Sequence, residues 1–473
     1  MAKGDAAKIR AKLGHPIVDG DSHWIESVPV MTDYVRAEGG TKMAEEFAKS
    51  QNRRGAWYDA SPDERMQKRI SRGNWWITTA NTFDFATSMI PALQESRMDE
   101  LGIDYSIIYP TRLLTGNSIP QEDTRKAVCR AYNKMVADIY APHKARLTPA
   151  ALIPCLTPQE AIDEVDYAVN TLGLKVGSFK GSQRRPIPEY EVDGAAPNTM
   201  PYYVDALGLD NLYDYDPLWQ KCIDLGISVT VHQGSNGWAS RMSTSNGEFN
   251  RLGHAASSHE PMTKSIFLGG VVRRFPDLTF SFLEGGVGYG VMLLANLVGG
   301  WQKRTYDAMK KNLKPTNIDT GRLRELIKQY GYGDLKAKGD EAIDALRLQE
   351  LAERETESLD DYAALGISTK AELIEAYSKN FYFGCEADDP TTAWAFDARM
   401  PGRLKALLGT DLAHWDVPDF AEAIPEAWEM VEDELITAQD FRDFTFTNPV
   451  ECHVRMNPDF FKGTIVEDAV KQG

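Results

Sequence analysis

Ile227-Ser-Val-Thr-Val-His232 is a short apolar run that follows a helix predicted over Pro217–Leu225. Leu278-Thr-Phe-Ser-Phe-Leu-Glu284 repeats the arrangement after a helix predicted over Pro261–Phe275. Unbroken apolar runs of this length suit parallel strands, which are covered on both faces, better than half-exposed antiparallel ones. Each run ends on a side chain that can hold a metal or a proton. These two units set the reading of everything around them.

Outward from them the alternation continues. Toward the N-terminus lie strands predicted at Lys175–Lys180, Leu147–Ile153 and Asp104–Pro110, with helices at Pro158–Leu172, Glu122–Tyr140 and Met89–Leu101 between or before them. The helix Glu122–Tyr140 carries Val128, Ala131, Met135 and Ile139 at helical spacing. Pro16–Asp19 reads as the first strand. Toward the C-terminus come a helix Tyr289–Lys303, strands Phe381–Cys385 and Leu404–Asp411, a helix near Ala393, and closing helices over 421–461. Residues 183–214 read as a Pro/Tyr/Asp-rich loop.

Eight strands separated by helices predict an α/β fold, a (β/α)8 TIM-like barrel in one domain over residues 1–473. Two long, largely helical insertions are expected, at about 27–100 (with Trp57, Tyr58, Trp75 and Trp76) and 304–378. No strand is followed by a Gly-rich phosphate fingerprint, which disfavours a doubly wound dinucleotide fold.

The formal charge of −17 argues against nucleic acid or an anionic membrane as partner. Cys129, Cys155, Cys222, Cys385 and Cys452 are scattered and odd in number, so reduced thiols and a cytoplasmic protein are expected. The N-terminal residues lack the apolar core of a signal peptide, and no run reaches transmembrane length. The expected partners are a small-molecule substrate and other subunits, in a homo- or hetero-oligomer.

In such barrels chemistry sits at the C-terminal strand ends. Those ends read Asp21 and His23, then Arg112, Lys180, His232, Glu284 and Asp411. In Pro16-Ile-Val-Asp19-Gly-Asp21-Ser-His23-Trp-Ile-Glu26, residues two apart share a face, so Asp19, Asp21 and His23 project together if the strand holds. Imidazoles and carboxylates converging on one point are a divalent-metal donor set. His254 and His259 fall between the fifth strand and the next helix, as acid/base or second-metal candidates. His414 and Asp416 are candidates to orient Asp411, with His414 also able to face substrate. Arg112 and Lys180 are candidate carboxylate holders.

His232-Gln-Gly-Ser, Phe267-Leu-Gly-Gly-Val-Val-Arg-Arg-Phe-Pro276, Phe282-Leu-Glu-Gly-Gly-Val-Gly288 and Gly409-Thr-Asp-Leu-Ala-His-Trp-Asp416 together resemble the amidohydrolase superfamily. The branch they resemble includes aminocarboxymuconate semialdehyde decarboxylase and the hydroxybenzoate-type decarboxylases. The resemblance covers about 16–26, 100–182 and 216–416. It implies metal ligands at Asp21, His23, His232 and Asp411. Asp21 stands where the family has a histidine, and Glu284 stands where the decarboxylases carry a catalytic one. Together with Glu26, these acids make a carboxylate-rich set suited to Mn or Fe as well as Zn, with one or two ions per chain.

Three functions follow as expectations. The first is hydrolysis or non-oxidative decarboxylation of a small carboxylate-bearing substrate, with Asp411, Glu284, His259 and His254 as proton carriers. The second, from resemblance to the subgroup of 2-aminoisobutyrate hydroxylase, is a dinuclear non-haem iron or iron–manganese oxygenase. The third is an inactive structural subunit of a heteromeric complex.

Overall fold

The computed structural model describes residues 5–51, 56–73, 79–190, 201–232, 242–350 and 360–472. Trp75, Trp76 and the Gln-Gly-Ser that follows His232 lie outside them. The strands are β1 (Val18–Trp24), β2 (Tyr105–Pro110), β3 (Leu147–Leu152), β4 (Val176–Phe179), β5 (Gln183–Pro186), β6 (Tyr202–Asp205), β7 (Val229–Val231), β8 (Phe280–Phe282), β9 (Phe381–Glu386) and β10 (Lys405–Gly409).

Eight of these form one sheet in the order β1-β2-β3-β4-β7-β8-β9-β10, parallel throughout. The first and last strands meet through Asp411 N–H donating to the Asp21 carbonyl (3.0 Å) and His23 N–H donating to the Leu412 carbonyl (2.9 Å). The sheet thus curls into a nearly closed TIM-like barrel. Each strand falls where one was expected, though β1, expected over Pro16–Asp19, runs on through polar residues to Trp24.

Two cores hold the barrel. The larger packs the outer strand faces, such as Phe280, Phe282, Phe381 and Phe383, against the helices. The smaller joins Tyr105, Ile107, Tyr109, Val176 and Leu407 from alternating strand positions to Phe446, Phe460 and Phe461 of the closing segment. Ser228 and Thr279, just before β7 and β8, both donate to the Cys452 carbonyl (2.6 and 2.9 Å). The C-terminal helices therefore seal the N-terminal ends of the strands. Chemistry is left to the opposite rim.

Four elements differ from expectation. The loop 183–214 contains β5 and β6, an antiparallel pair whose Arg185 binds Asp205 (3.0 Å). The helix expected from Met89 is two helices, Thr82–Met89 and Pro91–Leu101, broken at Ile90. The segment near Ala393 is a 3-10 turn, Pro390–Ala395. The helix expected at Pro261–Phe275 begins earlier, at His254, and runs to Leu268, with Val271–Arg274 following a left-handed Gly270. Pro261 sits inside it and costs one backbone bond rather than marking its start.

Between β1 and β2 the described residues are largely helical; Val28–Gln51 is two helical stretches meeting at a kink at Gly40, packed against Glu122–Tyr140. Short helices, among them Thr320–Tyr330 and Gly339–Asp344, fill 306–344 and pack on one another. Among the described residues no helix is long and apolar enough to cross a membrane. All five cysteines are buried and free.

Candidate metal centre

β1 stays extended through Trp24, but its register against β2 shifts between Asp19 and Ser22. The shift separates Asp19 from its neighbours. Its carboxylate accepts from Thr410 Oγ1 (2.6 Å), Thr410 N (3.0 Å), Ser106 Oγ (3.2 Å) and Asp21 N (3.2 Å). Asp19 therefore stitches the seam between β1 and β10, and burial pushes its carboxyl up to about 7. Asp21 is left facing the open rim. A Cβ at Gly409 would lie 2.9 Å from the Asp21 Cβ, so only glycine lets β10 come this close.

Glu284 and Asp411 follow β8 and β10 with left-handed backbones, φ 58° and 50°. A non-glycine residue pays for that conformation. Here it turns two strand-end acids toward the barrel axis instead of outward with the departing chain. Ala413, at φ 90°, curls the chain again and brings His414 back.

The result is a buried cluster. His23 Nε2 and His232 Nε2 are 2.8 Å apart, each 3.5 Å from Asp21 Oδ1. Glu284 Oε1 lies 3.7 Å from His23 Nε2, 3.6 Å from His232 Nε2 and 3.3 Å from His414 Nδ1. Asp411 reaches His23 Nε2 (3.8 Å) and His414 Nδ1 (3.5 Å). Two donor groups overlap at His23: Asp21, His23 and His232; and His23, Glu284, Asp411 and His414. His23 Nδ1 donates to the Pro110 carbonyl (3.2 Å), which fixes the tautomer and leaves Nε2 free to ligate.

The electrostatics need a cation. Burial raises Glu284 and Asp411 well above the usual carboxylate range, and the charge of Asp21 adds to it. Burial also opposes the charged form of Asp21, but His232 and His23 outweigh it and hold its carboxyl low. Burial lowers His232 and, further, His414, favouring neutral imidazoles that can ligate. Both Asp21 oxygens, Glu284 Oε1 and Asp411 Oδ1 are buried without a hydrogen-bond partner. Orphaned carboxyl oxygens beside neutral imidazoles fit a divalent ion, to which Asp21 and Asp411 would supply oxygens.

The structure brings Asp21, His23, His232, Glu284 and Asp411 together and adds His414, expected only as an orienting or substrate-facing group. It places Glu26 elsewhere, which corrects its assignment as a ligand. Both Glu26 oxygens accept backbone N–H groups, from Arg112 (2.8 Å) and Leu113 (3.0 Å), pinning the turn after β2. The Arg112 side chain is exposed. His259 lies on a helix rather than in a loop and donates to the Leu283 carbonyl (2.6 Å). Burial pushes its imidazole down to about 3, so it is a neutral prop behind Glu284. His254 starts that helix and donates to the Arg251 carbonyl (2.7 Å). Lys180 follows β4, and burial, with Arg184 nearby, lowers its ammonium to about 8. Asp416 pairs with Arg251 (3.6 Å). Glu386, the last residue of β9, was not singled out because the strand was expected to stop at Cys385.

A family model described as amidohydrolase matches residues 86–311. The resemblance read from the sequence is borne out there, while four of the six clustered donors, Asp21, His23, Asp411 and His414, lie outside the match. Among solved structures, the fold is similar to an amidohydrolase from Mycobacterium avium subsp. paratuberculosis K-10, with a TM-score of 0.52, 15% identity, and 93% of this chain and 99% of that one covered. It is also similar to 2,6-dihydroxybenzoate decarboxylase complexed with 2,6-dihydroxybenzoate, with a TM-score of 0.50, 15% identity, and coverage of 93% and 98%. A dihydroxybenzoic acid decarboxylase from Polaromonas sp. JS666 with bound manganese and 2-nitroresorcinol gives a TM-score of 0.50, 14% identity, and coverage of 93% and 97%. At such identities the likeness is one of fold. No curated protein matches the sequence.

Proposed function

We propose that the chain is a metal-dependent enzyme that hydrolyses or decarboxylates a small carboxylate-bearing substrate at the rim of the barrel. The carrying observation is the cluster of buried strand-end donors with unsatisfied anionic oxygens. Asp21, His23, His232 and Asp411 would hold the ion. Bound there, a divalent metal supplies Lewis acidity to a substrate oxygen or a water. The remaining work falls to the chain. Glu284, whose protonated form burial and the neighbouring acids favour in the metal-free chain, stands 3.6 Å from His232 Nε2 and would carry a proton between the cluster and the reacting centre. His414, 3.3 Å from Glu284 Oε1, orients that carboxyl. His259 fixes the backbone in front of it. The ammonium of Lys180, just after β4, would attract a substrate carboxylate.

The overlap of two donor groups at His23 favours a second reading, a pair of ions in a carboxylate-rich pocket and oxygenase chemistry with iron or manganese. An inactive subunit is the weakest reading, since orphaned buried acids destabilise a barrel that never binds an ion. Elemental analysis of protein purified without added metal, with assays for carbon dioxide release and oxygen uptake, separates the three. Protein free of stoichiometric metal would sink both enzymatic readings.

A further inference from the structure

Residues 306–344 form a helical lobe in which only Met309 and Ile343 are buried. Tyr306–Asn312 leans on the helix Gly288–Arg304, while Thr320–Tyr330, Gly333–Ala337 and Gly339–Asp344 pack on one another. At the root of the lobe Tyr306, Leu313 and Ile318 are exposed. Lys310, Lys311 and Lys314 stand among them, also exposed and in no ion pair among the described residues. Over 306–338 the sequence has eight lysines and arginines against four acids, in a chain of net charge −17. The lobe is therefore basic and partly apolar on a molecule that is otherwise acidic.

The same chain carries a surface of the opposite kind. A groove of about 850 Å³ lies between the turn Pro390–Ala395 and the chain that follows the helix Ala423–Glu432. Trp394, Phe396, Val431 and Leu435 give it apolar walls, with Trp394 47% and Leu435 50% exposed. Residues 423–441 hold six acids and no lysine or arginine. Of these, Glu429, Glu432, Asp433 and Glu434 are exposed and in no ion pair among the described residues. The nearby arginines are already engaged, Arg399 with Asp397 (2.6 Å) and Arg403 with Asp440 and Asp443 (2.7 Å each).

The lobe does not line the groove of its own chain. The Trp394 ring sits at the start of Gly288–Arg304, 3.7 Å from where a Cβ on Gly288 would be. The lobe leaves the other end of that helix, 17 residues and about 25 Å away. None of the described walls of the groove belongs to it.

We propose that the groove receives the 306–318 segment of a second copy of this chain. Tyr306, Leu313 and Ile318 would cover Trp394 and Leu435, and the three lysines would face Glu432, Asp433 and Glu434. An apolar centre inside a charged rim is how protein interfaces are built. Two such contacts, exchanged reciprocally, close a twofold dimer. This docking is independent of the reading of the metal centre.

The test is sedimentation velocity of the full chain over a range of protein concentrations. Wild type is expected to be a dimer at low salt and to dissociate as sodium chloride rises to about 1 M, where the screening length falls to about 3 Å. One variant reverses the lobe (Lys310→Glu, Lys311→Glu, Lys314→Glu) and another reverses the groove (Glu432→Lys, Asp433→Lys, Glu434→Lys). Each alone is expected to weaken dimerisation about tenfold or more, with an unchanged circular dichroism spectrum. Mixed in equal amounts, the two variants are complementary at both contacts, and the dimer returns. The single changes Lys311→Glu and Glu432→Lys serve in the same scheme if a triple variant does not fold. A monomeric wild type, a dimer indifferent to both reversals, or a mixture as dissociated as its components overturns the proposal.

Discussion

His23 and His232 come from opposite parts of the sheet, β1 and the end of β7, yet their Nε2 atoms stand 2.8 Å apart. The His23 proton is committed on Nδ1 to the Pro110 carbonyl, so its Nε2 presents a lone pair to the neighbouring ring. Two nitrogens at about 2.0–2.1 Å from one ion come about this close when their angle at the metal is acute to square. The expected outcome is that chelation lowers stability by about 3–4 kcal/mol, for metal supplied at 100 to 1,000 times its dissociation constant. Melting curves with and without chelator check this. His232→Ala and Asp411→Ala are each expected to lose stoichiometric metal while keeping the wild-type circular dichroism spectrum.

Much of this centre was legible because strand ends are. A buried parallel strand is an apolar run, and the polar residue that stops it, as His232 stops Val229–Val231, marks the rim. What stayed hidden depends on backbone dihedrals that the residue types do not advertise. Asp411 and Ala413 adopt positive φ without glycine, and that double curl returns His414 to the cluster. The shift between Asp19 and Ser22 is equally silent; it converts one acid of an apparent trio into a seam bond. Pro261 misled in the opposite sense, since a proline that looks like a helix start lies within the helix His254–Leu268.

Glu26 is where a ligand and a brace predict different results. With both oxygens on backbone N–H groups, Glu26→Gln replaces one acceptor by a donor facing a donor. It is expected to cost about 1–3 kcal/mol in urea unfolding. Metal content by elemental analysis should stay at the wild-type value. Loss of metal with unchanged stability would return Glu26 to the ligand set.

His453 offers a test of acid sensitivity away from the metal. It is buried, stacked on Phe460 at 4.4 Å, and burial lowers its imidazole to about 3. An unfolded chain takes up that proton near pH 6.5, while the folded one refuses it until about pH 3. Its stability contribution is therefore complete above about pH 6.5 and is lost as pH falls below it, by about 1.4 kcal/mol per pH unit. His453→Phe keeps the stacking and removes the titration. Urea midpoints at pH 6, 5 and 4 should fall less steeply in the variant by that amount, whatever its stability at pH 7.

Lys180 sets stability against function. Its ammonium is desolvated and lies near Arg184, so the folded chain prefers it neutral, with a pKa of about 8 against 10.5. Below pH 8 the lysine is charged in both folded and unfolded states, and the full penalty is present. The penalty shrinks as pH rises from 8 to 10.5, where both states become neutral. Lys180→Met should accordingly melt higher than wild type at pH 7, with the gap closing toward pH 10.5. A destabilising charge retained at a barrel rim implies use. If that use is to hold a substrate carboxylate, the same variant raises KM about tenfold or more with kcat little changed. Wild-type KM should also climb above pH 8, where the positive charge disappears, and the variant's should not.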